Sequence, residues 1–216
     1  GEFKSPISPV VLCHGLFGYS EKQIATLQLQ YWRGIKDVLL HRGCEVYSTG
    51  VGSISSVKER AVNLHKFLEQ NFRVSLIINL VAHSMGGLDC RYLISHIPNR
   101  SYKILSVSTI ATPHRGSSFM DWVRDKVGVG HLSQYIRRET EDVVPFDALA
   151  FTNLTRDYCR AFNSITHDDP EVYYSSYAAS ANMGILSRLA FPFHIVRKSE
   201  GENDGFVSVE SAKWGI

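Results

Sequence analysis

The stretch VSLIINLVAHSMGGLDCRYLISHI, residues 74–97, decides the fold class. Its first part, residues 74–82, is mostly apolar and rich in β-branched side chains, which is typical of a strand buried in a parallel sheet. Residues 88–97 have the length and the apolar spacing of a helix that ends at Pro98. The stretch therefore predicts a buried strand that turns through HSMGG directly into a helix.

Strand and helix patterns alternate on both sides of this stretch. Ser55 or Ser56 is a candidate cap for a helix whose apolar residues recur along one face from Val57 to Leu68. Residues 117–165 are typical of helices joined by loops. Further strands are predicted at PVVLC (9–13), EVYST (45–49), KILSVSTIA (103–111), VYYSSYAAS (172–180) and FPFHIVRKS (191–199). This alternation predicts an α/β fold with a mostly parallel sheet and functional residues at the carboxyl ends of its strands.

Length and composition indicate one domain spanning residues 1–216, of which residues 1–3 could be left over from cloning. The hydrophobic fraction of 44%, the charged fraction of 20% and the net charge of +2 are ordinary for a globular protein. Because Lys and Arg are scattered, no nucleic-acid partner is expected. No apolar run approaches the roughly 20 residues of a bilayer span, so no transmembrane segment is predicted. A targeting segment cannot be read from this sequence, and the localisation stays open.

The four cysteines are widely spaced along the chain and fit no metal-binding pattern. Most of them lie among residues that are predicted to be buried. We therefore expect free thiols in the core rather than disulfides at Cys13, Cys44, Cys90 and Cys159.

Ser84 is the candidate nucleophile. A serine on a sharp strand-to-helix turn protrudes from the backbone, and the helix that follows directs its N-terminal amides at the site. Such turns follow the pattern G-x-S-x-G, and this sequence has Ala82-His83-Ser84-Met85-Gly86, in which alanine replaces the first glycine. The alternative is that HSMGG is a plain strand-to-helix connection. His83 is not expected to be the base, because a neighbour on a sharp turn points elsewhere.

Two backbone amides are candidates for an oxyanion hole, which stabilises the negative charge of a tetrahedral intermediate. One is the amide of Met85, directly after the serine. The other is the amide of Leu16 in the loop HGLFG, where Gly15 and Gly18 permit a close approach and His14 shapes the loop. Taken alone, H-G-x-x-G could be only a turn.

Several long blocks of the sequence resemble one known family, in the same order along the chain. That family is the α/β-hydrolase lipases of the Pseudomonas and Burkholderia type, together with their fungal triacylglycerol lipase relatives. The blocks cover most of the chain and are VVLCHGLFG (10–18), NLVAHSMGGLDCRYLI (79–94), ATPHRGSSFMDW (111–122), LTRDYCRAFN (154–163), VYYSSYA (172–178) and ENDGFVSVESAKWG (202–215).

The resemblance implies an α/β-hydrolase fold with helices on both faces of the sheet and a serine esterase that hydrolyses lipid esters through an acyl-enzyme on Ser84. Triacylglycerols or carboxylesters are the expected substrates, and a phospholipase or thioesterase of the same fold is an alternative. Leu16 and Met85 would hold the oxyanion. Asp204, in the turn Asn-Asp-Gly, would be the acid of the catalytic triad, although such a sequence is also ordinary turn chemistry.

The resemblance also implies a mobile helical lid at about residues 117–144, through which the protein would make transient contact with a lipid interface. Trp122, Val123, Val127, Val129, Leu132 and Ile136 could form its apolar face. The alternative is a packed surface helix, since Gly128 and Gly130 could be hinges or loop residues.

The histidine of the triad is absent from its expected place. An α/β hydrolase carries its triad in the order Ser, Asp, His, but all nine histidines precede Asp204. His194 is interpreted as a residue of the strand FPFHIVR, and His114 lies in a loop near the site. We expect that the histidine loop lies beyond Ile216. The alternative is a catalytically inactive relative that serves as a binding protein.

No cofactor is expected. Bacterial members of the family hold a structural calcium mostly through residues downstream of the histidine, so no ligand set can be transferred to this sequence. Asp168 and Asp169 could bind a hard cation, but their place before Pro170 favours a solvated turn.

Overall fold

The structure is a computed structural model that describes residues 4–16, 31–50, 55–72, 76–127 and 148–215. The five strands are β1 (Val10–Cys13), β2 (Val46–Ser48), β3 (Ile77–His83), β4 (Lys103–Ile110) and β5 (Tyr173–Tyr177). The helices are α1 (Ile35–His41), α2 (Val57–Asn71), α3 (Gly86–His96), α4 (Ser118–Val127), α5 (Ala148–Thr152), α6 (Arg156–Ile165), α7 (Ala190–Glu200) and α8 (Val209–Ala212).

The strands form one parallel sheet in the order β2-β1-β3-β4-β5. Strand β1 pairs with β2 on one side and with β3 on the other, so successive connections run in opposite directions from β1. In sheets of this kind, ligands bind at the carboxyl ends of the strands where the order reverses. That position lies between the end of β1, at Cys13, and the end of β3, at His83.

Both faces of the sheet are covered, as the continuous apolar strands predict. On one face, Val11 and Cys13 pack in a cluster with Leu64 of α2 and Leu93 of α3. On the other face, Val10 and Leu12 pack against Trp32. All four cysteines are free and buried, which confirms the prediction of core thiols.

The helix α2 begins where the sequence predicts it. Ser56 is its cap, because its side chain accepts from the Glu59 amide while the Glu59 carboxylate accepts from the Ser56 amide. This capping box satisfies two amides that the first turn leaves without helical partners, and it contributes about 1 kcal/mol. The predicted apolar face is buried against the sheet, with Val57, Ala61, Leu64 and Leu68 each at most 1% exposed.

The prediction of a strand at FPFHIVRKS is wrong, because residues 190–200 form the helix α7. Aromatic and β-branched residues favour strands, but here Phe193 and Val196 bury one helical face. Pro192 is accommodated because it lies in the first turn, where its missing N–H is not needed. The basic last turn and Gly201, which ends the helix at φ 92°, were signals for a helix.

The predicted lid falls only partly within the described residues. Its first part forms α4, in which Trp122 and Val123 are half-buried. Residues 128–144 lie outside the described part of the chain, and with them Val129, Leu132 and Ile136. None of the helices in the described residues is long and apolar enough to cross a membrane.

Candidate active site

Ser84 follows the last residue of β3 and has a φ of 54°. Few residues other than glycine adopt positive φ, so this backbone is strained and its neighbours must hold it there. The Ser84 amide donates to the Ile110 carbonyl at 2.9 Å, and the Ser84 carbonyl accepts from Thr112 Oγ1 at 2.7 Å. The end of β4 and the loop after it thus fix the turn, and the half-buried side chain of Ser84 lies at the edge of the sheet.

The small residues around Ser84 are required for close packing. A Cβ on Gly86 would lie 2.8 Å from the carbonyl oxygens of Cys13 and His14, and one on Gly87 would lie 2.3 Å from Thr112 Oγ1. Larger residues would push α3 away from the ends of β1 and β4. The position of Ala82 tolerates a methyl group, since the fully buried Ala82 side chain packs in the core cluster of the sheet.

The loop after β1 approaches the serine directly. A Cβ on Gly15 would lie 2.7 Å from Ser84 Cβ, which leaves room for glycine alone. The Gly15 amide donates to the Tyr31 hydroxyl at 3.0 Å. Because that amide is already used, the next one, that of Leu16, is the candidate oxyanion donor in this loop. The half-buried Leu16 side chain packs against the cluster that contains the buried Met85.

A buried ion pair supports the same loop from inside the protein. Arg60 and Asp89 are at most 1% exposed, and the Arg60 Nε donates to Asp89 Oδ2 at 2.8 Å. The Arg60 Nη2 donates to the His14 carbonyl at 2.7 Å. Burial raises the pKa of Asp89 to about 6, although the charge and the hydrogen bond of Arg60 lower it in part. At neutral pH the pair is therefore ionised, and it ties α2, α3 and the loop after β1 together.

Sequence reasoning missed Arg60 and Tyr31. Arg60 had a signal, since it is a charged residue on the apolar stripe that runs from Val57 to Leu68. An arginine at such a position needs a buried partner. Tyr31 had no comparable signal, because no local pattern predicts a contact between residues 16 positions apart.

Asp204 lies in a turn built by side chains. Its Oδ1 accepts from the amides of Phe206 at 3.0 Å and Val207 at 2.9 Å, and Asn203 Oδ1 accepts from the Gly205 amide at 2.8 Å. Among the described residues, Asp204 Oδ2 has no hydrogen-bond partner. Burial lowers the pKa of His83 and the charge of Asp204 partly opposes this shift, so the Asp204 carboxylate lies within electrostatic range of the His83 imidazole. The turn follows the helix α7 and not a strand, contrary to the prediction.

The Asp204 turn is anchored to the loop after β4. Glu200 Oε1 accepts from the Ser118 amide at 2.6 Å, and its Oε2 accepts from Ser208 Oγ at 2.6 Å. Ser117 Oγ donates to the Phe206 carbonyl at 2.5 Å. The start of α4 and both sides of the turn are therefore held as one unit.

Three described histidines hydrogen-bond to side chains outside this turn. His65 bonds to Tyr102, His96 to Thr166 and His114 to Thr109. His114 is fully buried and stacks on Trp214, and burial lowers its pKa well below the usual value. His194, predicted as a strand residue, is exposed on α7. His131 lies outside the described residues.

Asp168 and Asp169 have partners within the protein. Asp168 accepts from the Trp214 indole at 2.9 Å, and Asp169 Oδ1 accepts from the Glu171 amide at 2.9 Å. Across the described ranges, no group of three or more His, Cys, Asp or Glu side chains could hold a metal ion.

The parallel sheet, with its strained serine at the end of β3, belongs to the α/β-hydrolase fold. The mature lipase BlEst2 of Bacillus licheniformis shares this fold with a TM-score of 0.70 at 23% identity, covering 99% of this chain and 82% of that one.

Sequence comparison narrows the class to a family. The chain is 34% identical to triacylglycerol lipase 2 of Saccharomyces cerevisiae, with 99% of this chain and 77% of the yeast protein covered. It is 36% identical to a triacylglycerol lipase of Pseudarthrobacter phenanthrenivorans, with 82% and 55% covered, so it spans about half the length of that relative. No protein-family model matches the sequence. The chain belongs to the triacylglycerol lipase family, whose members are carboxylic ester hydrolases.

Proposed function

We propose that the protein hydrolyses carboxylic esters through an acyl-enzyme formed on Ser84. The observation that carries the proposal is the backbone of Ser84, which is held at φ 54° between the end of β3 and the start of α3. A strained turn of this kind persists only where surrounding contacts maintain it, and such sites are concentrated at functional centres. It is also the turn that exposes a nucleophile in this fold.

The proposed reaction follows from the groups around Ser84. Its Oγ attacks the ester carbonyl, and the amides of Met85 and Leu16 donate to the oxyanion that forms. A histidine takes the Ser84 proton and passes it to the departing alcohol. Water then attacks the acyl-enzyme with the same histidine as base, which releases the acid and restores the serine.

Asp204 would orient that histidine. One carboxylate oxygen is committed to the turn, where it accepts two backbone amides. The second oxygen is left for an imidazole N–H. Such a division of roles fixes the carboxylate and lets it stabilise the imidazolium that forms during the reaction.

We further propose lipid esters, and triacylglycerols in particular, as substrates, in line with the names of the relatives. An aromatic cluster supports this substrate class. Phe119 and Trp122 of α4 contact Phe191 of α7, with ring centroids 6.3 Å and 4.9 Å apart, and Phe119 contacts Phe206 two residues after Asp204. Phe191 is 56% exposed and Phe206 is 38% exposed, so apolar surface is available beside the acid turn. Contact of the predicted lid with a lipid interface belongs to the same proposal.

The test uses the full-length protein and Ser84→Ala. We expect wild type to hydrolyse a short p-nitrophenyl ester and to be labelled by a fluorophosphonate, and Ser84→Ala to lose both. Ser95→Ala, on the same helix α3, is the matched control and should retain both. Absence of turnover and labelling in wild type would favour a binding protein. Preference for a phospholipid or a thioester over a triacylglycerol would move the substrate to those classes.

A further inference from the structure

Three polar groups form a short chain beside the proposed oxyanion hole. The Gly15 amide donates to the Tyr31 hydroxyl at 3.0 Å, and the Tyr31 oxygen lies 2.5 Å from His83 Nδ1. Burial lowers the pKa of His83, so the imidazole is neutral at pH 7, and its Nδ1 is a hydrogen-bond acceptor in the tautomer that carries hydrogen on Nε2. In that tautomer the Gly15 amide donates to the Tyr31 oxygen and the Tyr31 hydroxyl donates to His83 Nδ1.

These hydrogen bonds hold one end of a single peptide group. The carbonyl of His14 and the amide of Gly15 belong to the same planar unit. Arg60 donates to that carbonyl at 2.7 Å, and Tyr31 accepts from that amide at 3.0 Å. Because both ends are held by side chains from different parts of the chain, this peptide plane cannot rotate without breaking a hydrogen bond.

The next peptide group carries the proposed oxyanion donor. It consists of the Gly15 carbonyl and the Leu16 amide, and His14 Nδ1 donates to that carbonyl at 2.8 Å. The orientation of the Leu16 amide is therefore held directly by His14 and also by the plane before it, which is fixed by Arg60 and Tyr31. Gly15 has no side chain with which to fix its own conformation.

We propose that Tyr31 and His83 are positioning residues, which lock the His14–Gly15 peptide and thereby orient the Leu16 amide toward the oxyanion on Ser84. The inference rests on the proposed function and goes beyond it, since it assigns a role to two side chains outside the triad and the oxyanion amides. His83 is adjacent to Ser84, so the hydrogen bonds from Gly15 to Tyr31 and between Tyr31 and His83, called the Tyr31 tie below, fix the oxyanion loop relative to the nucleophile. A misplacement of about 1 Å in such a site can cost roughly 100-fold in rate.

The kinetic test is a double-mutant cycle on the full-length enzyme with Tyr31→Phe and His83→Leu. Each change should lower kcat about tenfold and leave KM within about twofold, because the lost interaction serves the transition state. The double variant should lose about tenfold and not about 100-fold, because both changes break one tie. His83→Asn, which can offer an acceptor oxygen near the Nδ1 position, should restore part of the rate. Tyr47→Phe, which removes a β2 hydroxyl that donates to Glu45, is the matched control and should leave kcat unchanged.

Three kinetic results would overturn the proposal. They are multiplicative losses in the double variant, a raised KM at unchanged kcat, which would make Tyr31 a substrate contact, and a loss in Tyr47→Phe as large as that in Tyr31→Phe.

A second measurement does not depend on turnover. In nuclear magnetic resonance spectra, the Gly15 amide proton should shift upfield in Tyr31→Phe, and the His83 Nδ1 signal of wild type should be that of an unprotonated nitrogen. Unchanged Gly15 and a protonated Nδ1 would refute the tie even in an active enzyme. If wild type proves inactive, the proposed function fails, while these spectra still decide whether the tie exists.

Discussion

Gly15 and Ser84 are in direct contact, since a Cβ on Gly15 would lie 2.7 Å from Ser84 Cβ and 3.1 Å from the Tyr31 hydroxyl. Neither neighbour can move freely, because Ser84 is held by β4 and Tyr31 is bonded to His83. Gly15→Ala must therefore displace the loop that carries the Leu16 amide. We expect kcat to fall at least about 100-fold.

The matched control for this change is Gly184→Ala, where a Cβ would meet no atom within 4 Å. It should retain the wild-type kcat in an ester hydrolysis assay. Wild-type activity in Gly15→Ala would show that the loop has room to adjust and would contradict the proposed placement of the oxyanion donor.

Two substitutions at Asp204 separate the turn from the catalytic acid. Asp204→Asn keeps an oxygen that can accept from the amides of Phe206 and Val207, so the unfolding midpoint should stay close to wild type. The kcat should nevertheless fall about 10³- to 10⁴-fold, because an amide cannot stabilise an imidazolium. Asp204→Ala should lose the same activity and also about 1–3 kcal/mol of stability. An active Asp204→Asn would leave this residue with a turn function alone.

The ion pair between Arg60 and Asp89 should be strongly coupled in stability. Replacing Asp89 by Asn removes the carboxylate that balances a fully buried guanidinium, which costs about 3–5 kcal/mol. In urea unfolding at pH 7, the double variant Arg60→Met/Asp89→Leu should lose clearly less stability than the sum of the losses in Arg60→Met and Asp89→Leu. Simple additivity would mean that the two residues do not act as a pair.

The stability of the protein should fall on mild acidification because of His114. Burial and the nearby charges of Arg91 and Arg115 keep its pKa well below 6.5 in the folded state, while the unfolded chain titrates near 6.5. Below pH 6.5 the unfolded state therefore binds more protons, and the free energy of unfolding falls by about 1.4 kcal/mol per pH unit until the folded pKa is reached. His83, with a lowered pKa, adds to this loss.

Asp89 acts in the opposite direction, because burial raises its pKa to about 6 and the folded state gains a proton there more readily than the unfolded state. The decisive quantity is the difference in slope between wild type and His114→Gln in urea unfolding from pH 7 to pH 5. The slope should be smaller in the variant. Equal slopes would show that His114 does not titrate differently in the two states.

The sheet is predictable from the sequence because its strands are buried on both faces. The apolar run at residues 74–82, together with the helix pattern after it, predicts a buried strand, and β3 and α3 confirm this prediction. The prediction at α7 was wrong because Phe191, Phe193 and Ile195 favour a strand by local preference, whereas the packing of one face against the protein stabilises a helix. The basic residues of its last turn and Gly201 at its end were signals for a helix that the sequence already contained.

The residues of the site likewise fall into those that the sequence predicts and those that it does not. Ser84, Gly86 and Gly15 can be found from spacing, because a sharp turn imposes small residues at fixed positions. Arg60 bonds to His14 over a separation of 46 residues and Tyr31 bonds to Gly15 over 16 residues, and no local pattern encodes such pairs. The sequence thus predicts which residues could react but not which side chains hold them.

The hydrogen bonds between the loop after β4 and the segment around the Asp204 turn can form only late in the synthesis of the protein. Arg115, Ser117 and Ser118 find their partners in Ser211, Phe206 and Glu200, which are 96, 89 and 82 residues later in the chain. At roughly 5–20 residues per second, a ribosome needs about 5–20 s to deliver them. A growing chain therefore carries Ser84 well before the Asp204 turn and the residues that anchor this turn to the loop after β4.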